Sequence, residues 1–413
     1  MNSCSFYCAL IVCCLLVSSF AQSQLQKIYL HPKAAGNEKQ SKFVDSIRFI
    51  PLEIKEGIEL KKYNYVQVTK NYFFINDYND KAVLLYAKNG HFTKRISYKK
   101  LGENMYPAYD EYSNRIVFFG NNKNYSLTSK DRLKIKLDWN NPHNKKYFKK
   151  YVVDLNDTSF IIVKDIPQQN DMLRSNRYYD DLYWQGQITT SDLFKDSLDY
   201  EFKLYKDNQL IKSYFPYNPI NETKFLYTEE SVSVHKTDTP YVHFITRPFC
   251  DTVYKMIRDS MVPAYQLVLP LENSLPPSFF TRPFKNKTDR ENFGRNNGWM
   301  LHYIYTFHET PRFIYFSVGY FNNYESYIYQ KQTNTTYKLK NVKPDSSQYN
   351  LQILSDYSVT RKGDRFYKPM KAGNLLTFFA KNKNVPVPKE LESFLKSNPH
   401  EATPVIIEFK LKN

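Results

Sequence analysis

Cysteine is scarce in this chain, and the few copies cannot form a disulfide framework. Only five of the 413 residues are cysteine, and four of these lie within the first 14 positions. If the N-terminal segment is cleaved, Cys250 alone remains, and a single thiol cannot pair within its own chain. A domain of this length buries enough apolar surface to fold without disulfides. Cys250 follows Phe249, and we expect it to be a small buried apolar residue rather than a nucleophile.

Glycine and the common catalytic motifs are also lacking. Only 11 glycines occur, which excludes collagen-like and linker-dominated architectures. The sequence contains no Gly-x-Ser-x-Gly turn, no phosphate-binding glycine loop and no metalloprotease His-Glu motif. The sequence therefore predicts no cofactor and assigns no catalytic residue.

The first 21 residues contain no charged side chain, although a signal peptide normally opens with Lys or Arg. The segment is apolar from Ala9 to Val17, which is too short to span a bilayer, and small residues precede Gln22 as a signal peptidase requires. We predict a signal peptide over 1–21 and an exported chain located in the periplasm or on the outer cell surface. Lipidation at Cys13 or Cys14 is the alternative. The mature chain is expected to have no transmembrane span.

Acidic residues are outnumbered by basic ones. Lys and Arg total 58 against 41 Asp and Glu, which gives a net charge of +17 and a pI near 9.3. This balance predicts an anionic partner such as an acidic glycan, lipopolysaccharide or teichoic polymer, and export argues against nucleic acid. The alternative is that lysines merely solvate the surface, since pairs such as Lys99-Lys100 and Lys145-Lys146 are dispersed.

Aromatic residues are abundant, and they occur in short extended runs. Tyr and Phe number 36 and 30, which excludes general disorder. Residues 63–96 form four such runs separated by Asn-Asp and Asn-Gly turns, and similar units recur towards the C-terminus. The pattern predicts an all-β fold, a six-bladed β-propeller. The strands at 46–54 and 405–411 are expected to pair within one blade and so close the ring.

The units are unevenly spaced, which predicts insertions between strands. We place the second unit at 115–138 and the third at 151–205, and we expect a strand at 374–379 in the sixth unit. An amphipathic helix is predicted over 388–397. The predicted organisation is a signal peptide at 1–21, a flexible arm at 22–42, and one propeller domain at 43–413 with insertions near 166–198, 276–297 and 381–402.

Several passages resemble a known family. They are Phe49-Ile50-Pro51-Leu52-Glu53, Ile75-Asn76-Asp77, Leu84 to Phe92, Phe249 to Tyr254, Pro263-Ala264-Tyr265 and Thr403 to Lys412. Together they resemble the bacterial family of exported six-bladed β-propellers, which is mostly uncharacterised and common in gene clusters of glycan-feeding bacteria. The resemblance implies the fold and an envelope location, and it supplies no catalytic residues.

Four aromatic or basic residues are the predicted ligand-binding residues. Trp184, Arg247 and Trp299 lie in or beside the insertions, and Tyr106 lies in a turn that departs from the family pattern. Flat aromatic faces can stack on sugar rings, and a guanidinium can bind a carboxylate through two hydrogen bonds. The alternative is that they pack in the core, as most aromatic residues of an all-β protein do.

Histidines offer a different hypothesis. His302 and His308 are separated by an even number of residues on a predicted strand, as are His235 and His243. A cluster of His243, His302 and His308 in a central pocket could bind a metal ion or act as a base. The alternative is that each histidine is half-buried and hydrogen-bonded.

The sequence favours a non-catalytic envelope binding protein that presents a pocket on a propeller face to a glycan or protein partner. The alternative is a metal-assisted lyase or hydrolase that uses the histidine cluster, and a third possibility is a structural assembly subunit. Fold alone does not decide among these functions.

Overall fold

The computed structural model describes residues 25–33, 36–53, 55, 66–122, 124–128, 131, 135, 141–168, 171, 176–179, 182–186, 199–207, 209–217, 232–281, 284, 287–354 and 359–412. The predicted signal peptide lies outside these residues. The described residues form six sheets that follow one another along the sequence, and their strands pair antiparallel except for one parallel strand at the edge of the fourth sheet.

The first strand, β1 (Gln26–Tyr29), belongs to sheet 4, and the second, β2 (Val44–Pro51), belongs to sheet 6. Sheet 1 contains β3 (Val66–Val68), β4 (Tyr72–Asp77), β5 (Ala82–Ala87) and β6 (Phe92–Ser97). Sheet 2 contains β7 (Glu103–Asp110), β8 (Arg115–Asn121), β9 (Phe148–Asp154) and β10 (Val163–Asp165). Sheet 3 contains β11 (Asn176–Tyr179), β12 (Leu182–Gln185), β13 (Asp199–Lys206) and β14 (Gln209–Tyr217).

Sheet 4 also contains β15 (Ser233–Lys236), β16 (Val242–Thr246), β17 (Thr252–Ile257) and β18 (Ser260–Val268). Sheet 5 contains β19 (Leu301–Glu309), β20 (Phe313–Tyr320), β21 (Tyr324–Gln330) and β22 (Thr335–Lys338). Sheet 6 also contains β23 (Thr360–Lys362), β24 (Arg365–Lys371) and β25 (Pro404–Leu411). The α-helices are α1 (Pro142–Lys145), α2 (Pro277–Thr281), α3 (Lys287–Asn296), α4 (Ala372–Lys381) and α5 (Lys389–Lys396). Short 3-10 helices cover Gln40–Lys42, Leu271–Asn273, Leu339–Asn341 and Ser346–Gln348.

The predicted ring closure is confirmed. Strand β2 pairs antiparallel with β25, with Phe49 opposite Ile407 and Ile50 opposite Ile406. Strand β25 pairs with β24 on its other side, so the N-terminal strand completes the sheet that contains the C-terminal strand. Because β25 lies between two strands, its backbone groups are paired on both edges. The six-bladed propeller fold expected from the sequence is therefore present.

Part of the segment predicted to be a flexible arm is an ordered strand. Strand β1 pairs in parallel with β18, the last strand of sheet 4, with Gln26 opposite Tyr265. Ile28 is fully buried in the contact between sheets 4 and 5, and this burial gives a free energy gain that a loose arm lacks. Further along, the buried amide of Gln40 accepts hydrogen bonds from the backbone nitrogens of Ile353 and Leu354. The structure therefore corrects the expectation of a flexible arm over these residues.

Two predicted unit boundaries were wrong. Strands β9 and β10 belong to sheet 2, so the second unit continues to Asp165. The segment 166–198, predicted as an insertion, contributes β11 and β12 to sheet 3. Its many polar residues do not show the alternation that predicts a strand. The Trp184 ring stacks on Phe202 in the neighbouring strand and holds β12 against β13.

The strand predicted at 374–379 is also wrong, because these residues form part of helix α4. Leu375 is fully buried, and Phe378 and Phe379 pack against the same apolar cluster, as residues three and four positions apart do on a helix. A short apolar run cannot be assigned to a strand or a helix by its pattern alone. The predicted helix at 388–397 is confirmed as α5, with Leu391 buried.

The core lies between the sheets rather than at the centre of the ring. Separate clusters of buried apolar residues join sheets 5 and 6, 4 and 5, 6 and 1, 1 and 2, and 3 and 4. Aromatic side chains in these clusters meet edge to face, as Phe244 and Phe307 do at 5.0 Å between ring centroids. Within the described residues, these clusters therefore hold together five of the six pairs of neighbouring sheets.

The ring has two distinct faces. We call one the connection face, because the chain passes there from one sheet to the next and turns from the second strand of a sheet to the third. We call the other the hairpin face, because it has the turns between first and second and between third and fourth strands. The α-helices of the described ranges all lie in segments of the connection face. The helices therefore distinguish the connection face from the hairpin face.

Gly90 allows sheet 1 to contact the closing strand, and its replacement tests that contact. Its φ is +92°, and a Cβ atom there would collide with the carbonyl oxygen of Pro51 at the end of β2. We expect Gly90→Ala to lower the free energy of unfolding by about 3 kcal/mol or more, measured by urea denaturation. The matched control is Gly363→Ala, at φ +63° with no atom within 4 Å, which should cost only about 1–2 kcal/mol. Equal losses would contradict the close approach.

Candidate functional site

Tyr106 and Trp184 lie in different environments. Tyr106 is on β7 and is 57 % exposed. Trp184 is on β12, and its indole stacks on Phe202 at 5.8 Å between ring centroids with an interplanar angle of 15°. The indole packs against the apolar cluster between sheets 3 and 4. The structure thus leaves Tyr106 available to a ligand and assigns Trp184 a packing contact.

Arg247 joins two sheets. Its Nε donates to the Glu201 carboxylate at 3.0 Å, its terminal nitrogen contacts the other carboxylate oxygen, and its guanidinium lies 4.6 Å from the centre of the Phe215 ring. Burial alone would lower the pKa of Arg247, but the Glu201 charge overcomes this effect, and the pKa is raised. Glu201 is on sheet 3, whereas Arg247 follows β16 of sheet 4. The Arg247 guanidinium, which was predicted to bind the carboxylate of a ligand, is instead paired with the carboxylate of Glu201.

The structure does not bring His243, His302 and His308 together. His302 stacks on Phe321 at 5.4 Å, near the connection face, whereas His308 is six residues further along β19, packed against Tyr315. Six strand residues span roughly 20 Å, and two register shifts in β19 break the regular alternation of faces. Within the described residues, no group of three or more His, Cys, Asp or Glu side chains could hold a metal ion.

His235 is the neighbour of both His243 and His308. Its Nε2 lies 2.9 Å from Thr246 Oγ1, and burial, together with the adjacent His243, lowers the pKa of His235 to about 3. Burial lowers the pKa of His243 to about 4, and burial with the charges of His235 and Arg361 lowers that of His308 well below its usual value. These imidazoles are therefore neutral in the folded protein at neutral pH.

The axis of the ring contains ion pairs between sheets that are not neighbours. Glu111 follows the first strand of sheet 2 and contacts Lys236 at 2.7 Å and also Lys362, which end the first strands of sheets 4 and 6. Because sheets 2, 4 and 6 alternate around the ring, these contacts cross its centre. Burial opposes ionisation of Glu111, yet the two lysines lower its pKa to about 2. No local sequence pattern could have indicated these partners, which are 125 and 251 residues away.

Trp299 lies on the connection face, directly before sheet 5, and 40 % of it is exposed. Its ring is 5.4 Å from that of Tyr320, and the Lys338 ammonium lies 5.8 Å from the ring centre. The side chain of Asn273 donates to the Trp299 carbonyl oxygen at 2.8 Å. Lys338 and Lys340 both contact the same oxygen of Glu325, at 2.6 and 2.5 Å. An exposed indole is therefore held beside a charged cluster.

Tyr305 and Tyr324 are two further exposed aromatic residues of sheet 5, which sequence reasoning missed. They are 37 % and 40 % exposed, and their ring centroids are 5.6 Å apart. The Tyr305 ring packs directly on Gly319, where any Cβ atom would collide with it. A glycine opposite an aromatic residue in neighbouring strands is a signal that could have indicated this exposed pair of tyrosine rings.

The insertion predicted at 276–297 packs beside this edge of sheet 5. Phe279, Phe284 and Phe293 form a buried aromatic cluster with Phe249 and Phe321, which anchors α2 and α3 to sheets 4 and 5. The side chain of Asn323 donates to the Gly298 carbonyl oxygen at 3.0 Å. The residue before Trp299 is thus tied to a turn of sheet 5. The predicted insertion is a folded wall of the candidate site.

A family model described as "Domain of unknown function (DUF4934)" matches residues 28–410. No curated protein matches the sequence. A solved structure from Bacteroides fragilis NCTC 9343, described as a "Putative exported protein", is similar over 94 % of this chain and 100 % of its own, with 17 % identity and a TM-score of 0.57. A member of the DUF4221 family from Bacteroides vulgatus is 11 % identical over 91 % of this chain and 100 % of its own, with a TM-score of 0.46.

These comparisons confirm the predicted resemblance to an uncharacterised family of six-bladed propellers, and the similar solved structure is that of a protein described as a "Putative exported protein". The similarity to the Bacteroides fragilis structure is at the level of the fold. In the described part of the chain, no helix has the length and apolar character needed to cross a membrane.

Proposed function

Because this chain belongs to the DUF4934 family, whose description assigns no function, we propose its function from the site itself: a non-catalytic binding protein of the bacterial envelope that holds a carbohydrate on its connection face. The envelope location is supported by the charge-free apolar N-terminal segment and by the similarity to a protein described as a "Putative exported protein". The partner is supported by the aromatic residues at the edge of sheet 5.

The observation that carries this proposal is the exposure of three aromatic rings at the connection-face end of sheet 5, where Tyr305 and Tyr324 lie on one side of the sheet and Trp299 packs on Tyr320 on the other side. Trp299, Tyr305 and Tyr324 each expose more than a third of their surface. Rings of this kind offer an apolar face to the C–H groups of a sugar ring, and the phenol oxygens can hydrogen-bond sugar hydroxyls. Most other aromatic residues of sheet 5, such as Tyr315 and Tyr327, are buried between sheets.

The site is also preorganised. Tyr305 rests on the backbone of Gly319, and the Trp299 backbone is held by Asn273. Because these groups are ordered before a ligand arrives, less conformational entropy is lost on binding. The aromatic cluster beneath α2 and α3 adds a fixed wall. A shallow and rigid surface of this type suits recognition of an extended polymer.

Removing either of two rings tests the proposal. We expect Trp299→Ala and Tyr324→Ala each to weaken binding to a glycan identified by array screening about tenfold, because one stacking contact is worth about 0.5–1.5 kcal/mol beyond its buried area. Kd values from isothermal titration calorimetry provide the measurement. The matched control is Tyr112→Ala, which removes an exposed tyrosine from the hairpin face and should leave Kd unchanged. Unchanged binding by the first two variants, or an array without any bound glycan, would refute the proposal.

A further inference from the structure

We propose that the cleft between helices α4 and α5 binds a long-chain fatty acid, with the acyl chain between the helices and the carboxylate at Lys396. This binding site is separate from the carbohydrate surface of sheet 5 and does not depend on it. Both helices lie in the connection between β24 and β25 of sheet 6. The cleft has a volume of about 580 Å³, which is within the usual range for sites that bind small molecules.

The walls of the cleft are mostly apolar. Its apolar lining residues are Leu376, Phe379 and Ala380 on α4, Val387 in the loop between the helices, and Leu395 on α5. Phe379, Val387 and Leu395 also pack against the apolar cluster between sheets 5 and 6, and each remains partly exposed. Covering apolar surface that is in contact with water is favourable, so these walls favour an apolar ligand.

The loop between the two helices is held by hydrogen bonds. The backbone nitrogen and the side-chain nitrogen of Asn382 both donate to the Phe378 carbonyl oxygen, at 3.0 and 2.8 Å. The backbone nitrogen of Val385 donates to the Asn382 carbonyl oxygen, and that of Leu391 donates to the Pro388 carbonyl oxygen. The two walls are therefore in place before a ligand binds, which lowers the entropic cost of binding.

Charged side chains line the rest of the cleft. They belong to Glu392 and Lys396, which are one turn apart on α5. No ion pair joins them, and Lys396 has no carboxylate partner among the described residues. A carboxylate at the end of an acyl chain can therefore accept a charge-assisted hydrogen bond from the Lys396 ammonium. An amphiphile with an apolar body and one anionic end matches this arrangement.

The charge of the surrounding segment also favours an anion. Residues 371–401 contain five lysines and three glutamates, which gives a formal charge of +2 with His400 neutral. All five lysines are exposed, and none of them forms an ion pair within the part of the chain that the structure describes. At moderate salt such charges act over about 8–10 Å. They therefore attract an anionic ligand and disfavour a cationic one.

A bilayer and a second copy of the chain fit this cleft less well than a single acyl chain. Of the apolar lining residues, only Ala380 is classed as exposed and the others are half-buried, so a flat membrane surface does not reach them. A symmetric second copy would bring the lysine-rich segment against itself, and like charges repel. A single chain can enter the cleft and place its charged end at a lysine.

A series of chain lengths tests this inference on the full chain. Myristate, laurate and decanoate are titrated below their critical micelle concentrations, and Kd is measured by displacement of the fluorescent fatty acid 11-(dansylamino)undecanoic acid. We expect myristate to bind, and Kd to rise about fourfold for each methylene removed, because a buried methylene is worth about 0.8 kcal/mol. Myristyl alcohol has the same chain without the charge, and we expect it to bind about tenfold more weakly than myristate.

Four variants locate the site. Ala380→Phe fills the cleft and should weaken myristate binding at least tenfold, whereas Asn374→Phe adds the same ring at an exposed position of α4 outside the cleft and should not change Kd. Lys396→Gln should reduce the preference for myristate over its alcohol to less than threefold. Lys94→Gln, at an exposed lysine of sheet 1, should leave that preference intact. The thermal midpoint of each variant verifies folding.

The possible failures are distinct. Absence of myristate binding, or binding that Ala380→Phe does not weaken, overturns the inference. Equal Kd values for myristate and its alcohol, or a preference that survives Lys396→Gln, overturn the anionic class. Binding to phosphatidylglycerol vesicles without binding to myristate would identify a membrane surface instead, and a dimer in light scattering that Ala380→Phe dissociates would identify a second copy. None of these results affects the carbohydrate proposal, whose variants lie on sheet 5 and beside it.

Discussion

Replacing Arg247 by methionine is expected to lower the free energy of unfolding by about 3–5 kcal/mol. The substitution leaves the Glu201 carboxylate with its side chain only 2 % exposed and without its cation. Removing the cation from a buried ion pair costs far more than the pair itself contributes, since the attraction no longer compensates for the lost hydration of the carboxylate. Urea denaturation followed by circular dichroism measures the change.

The double variant Arg247→Met with Glu201→Gln is the matched control. It removes both charges and keeps side chains of similar size, so we expect recovery of more than half of the lost stability. If Arg247 were mainly a ligand-binding residue, as its position at a strand end suggested, Arg247→Met would abolish binding and leave unfolding unchanged. That outcome would contradict the inter-sheet role.

Acidification is expected to unfold this protein in a pH range set by its buried histidines. The pKa of His235 is about 3 and that of His243 about 4 in the folded state, and that of His308 is also well below its usual value, whereas an unfolded histidine titrates near 6.5. The unfolded chain therefore binds more protons below pH 6.5. Stability is fully present above that pH and is lost as the pH falls towards 4.

The free energy of unfolding is expected to depend steeply on pH. Each neutral imidazole contributes about 1.4 kcal/mol per pH unit within this range, so three give about 4 kcal/mol per unit. Glu111, whose carboxylate has a pKa of about 2 in the folded state, lowers the free energy of unfolding only below about pH 4.5, where the unfolded chain begins to bind its proton. Free energies of unfolding from urea titrations at pH 7.5, 6.5, 5.5 and 4.5 measure the slope.

His308→Phe provides a specific variant for this prediction. His308 already packs between the rings of Tyr315 and Phe366, and its Nδ1 has no hydrogen-bond partner among the described residues, so phenylalanine fits the surroundings. We expect the variant to reduce the slope by about one third. His91→Gln, at an exposed side chain, should not change it. A slope unaffected by His308→Phe would show that other groups cause the acid sensitivity.

Ring closure and strand repetition could be predicted because they depend on local patterns. Short apolar runs at Phe49-Ile50 and at Val405 to Ile407 indicate a strand near each end of the sequence, and their pairing in one sheet leaves no free edge at the closure. The helix at 372–381 could not be predicted in the same way. Its apolar residues are as compatible with a short strand as with a helix face, and its packing against β24 and β25 decides the matter.

The candidate site was predictable only in part. Trp299 was identified from its place beside an insertion, and it is exposed on the connection face. Arg247 occupied an equivalent place in the sequence, but nothing near it indicates Glu201, which is 46 residues away on another sheet. Glu325 and its lysines are likewise ordinary charged residues until the sheet pairs them. Partner choice is a property of the assembled ring, and single-sequence patterns report only local structure.

The direction of β1 governs how this molecule can be presented to a polymer. Because β1 runs parallel to β18, from Gln26 opposite Tyr265 to Tyr29 opposite Val268, the chain travels along the rim from the hairpin side towards the connection side. A tether or label joined upstream of Gln26 therefore starts from the side away from Trp299. Immobilised by that route on a sensor chip or bead, the protein would turn its aromatic edge outward, so long glycans could be captured without steric interference from the support.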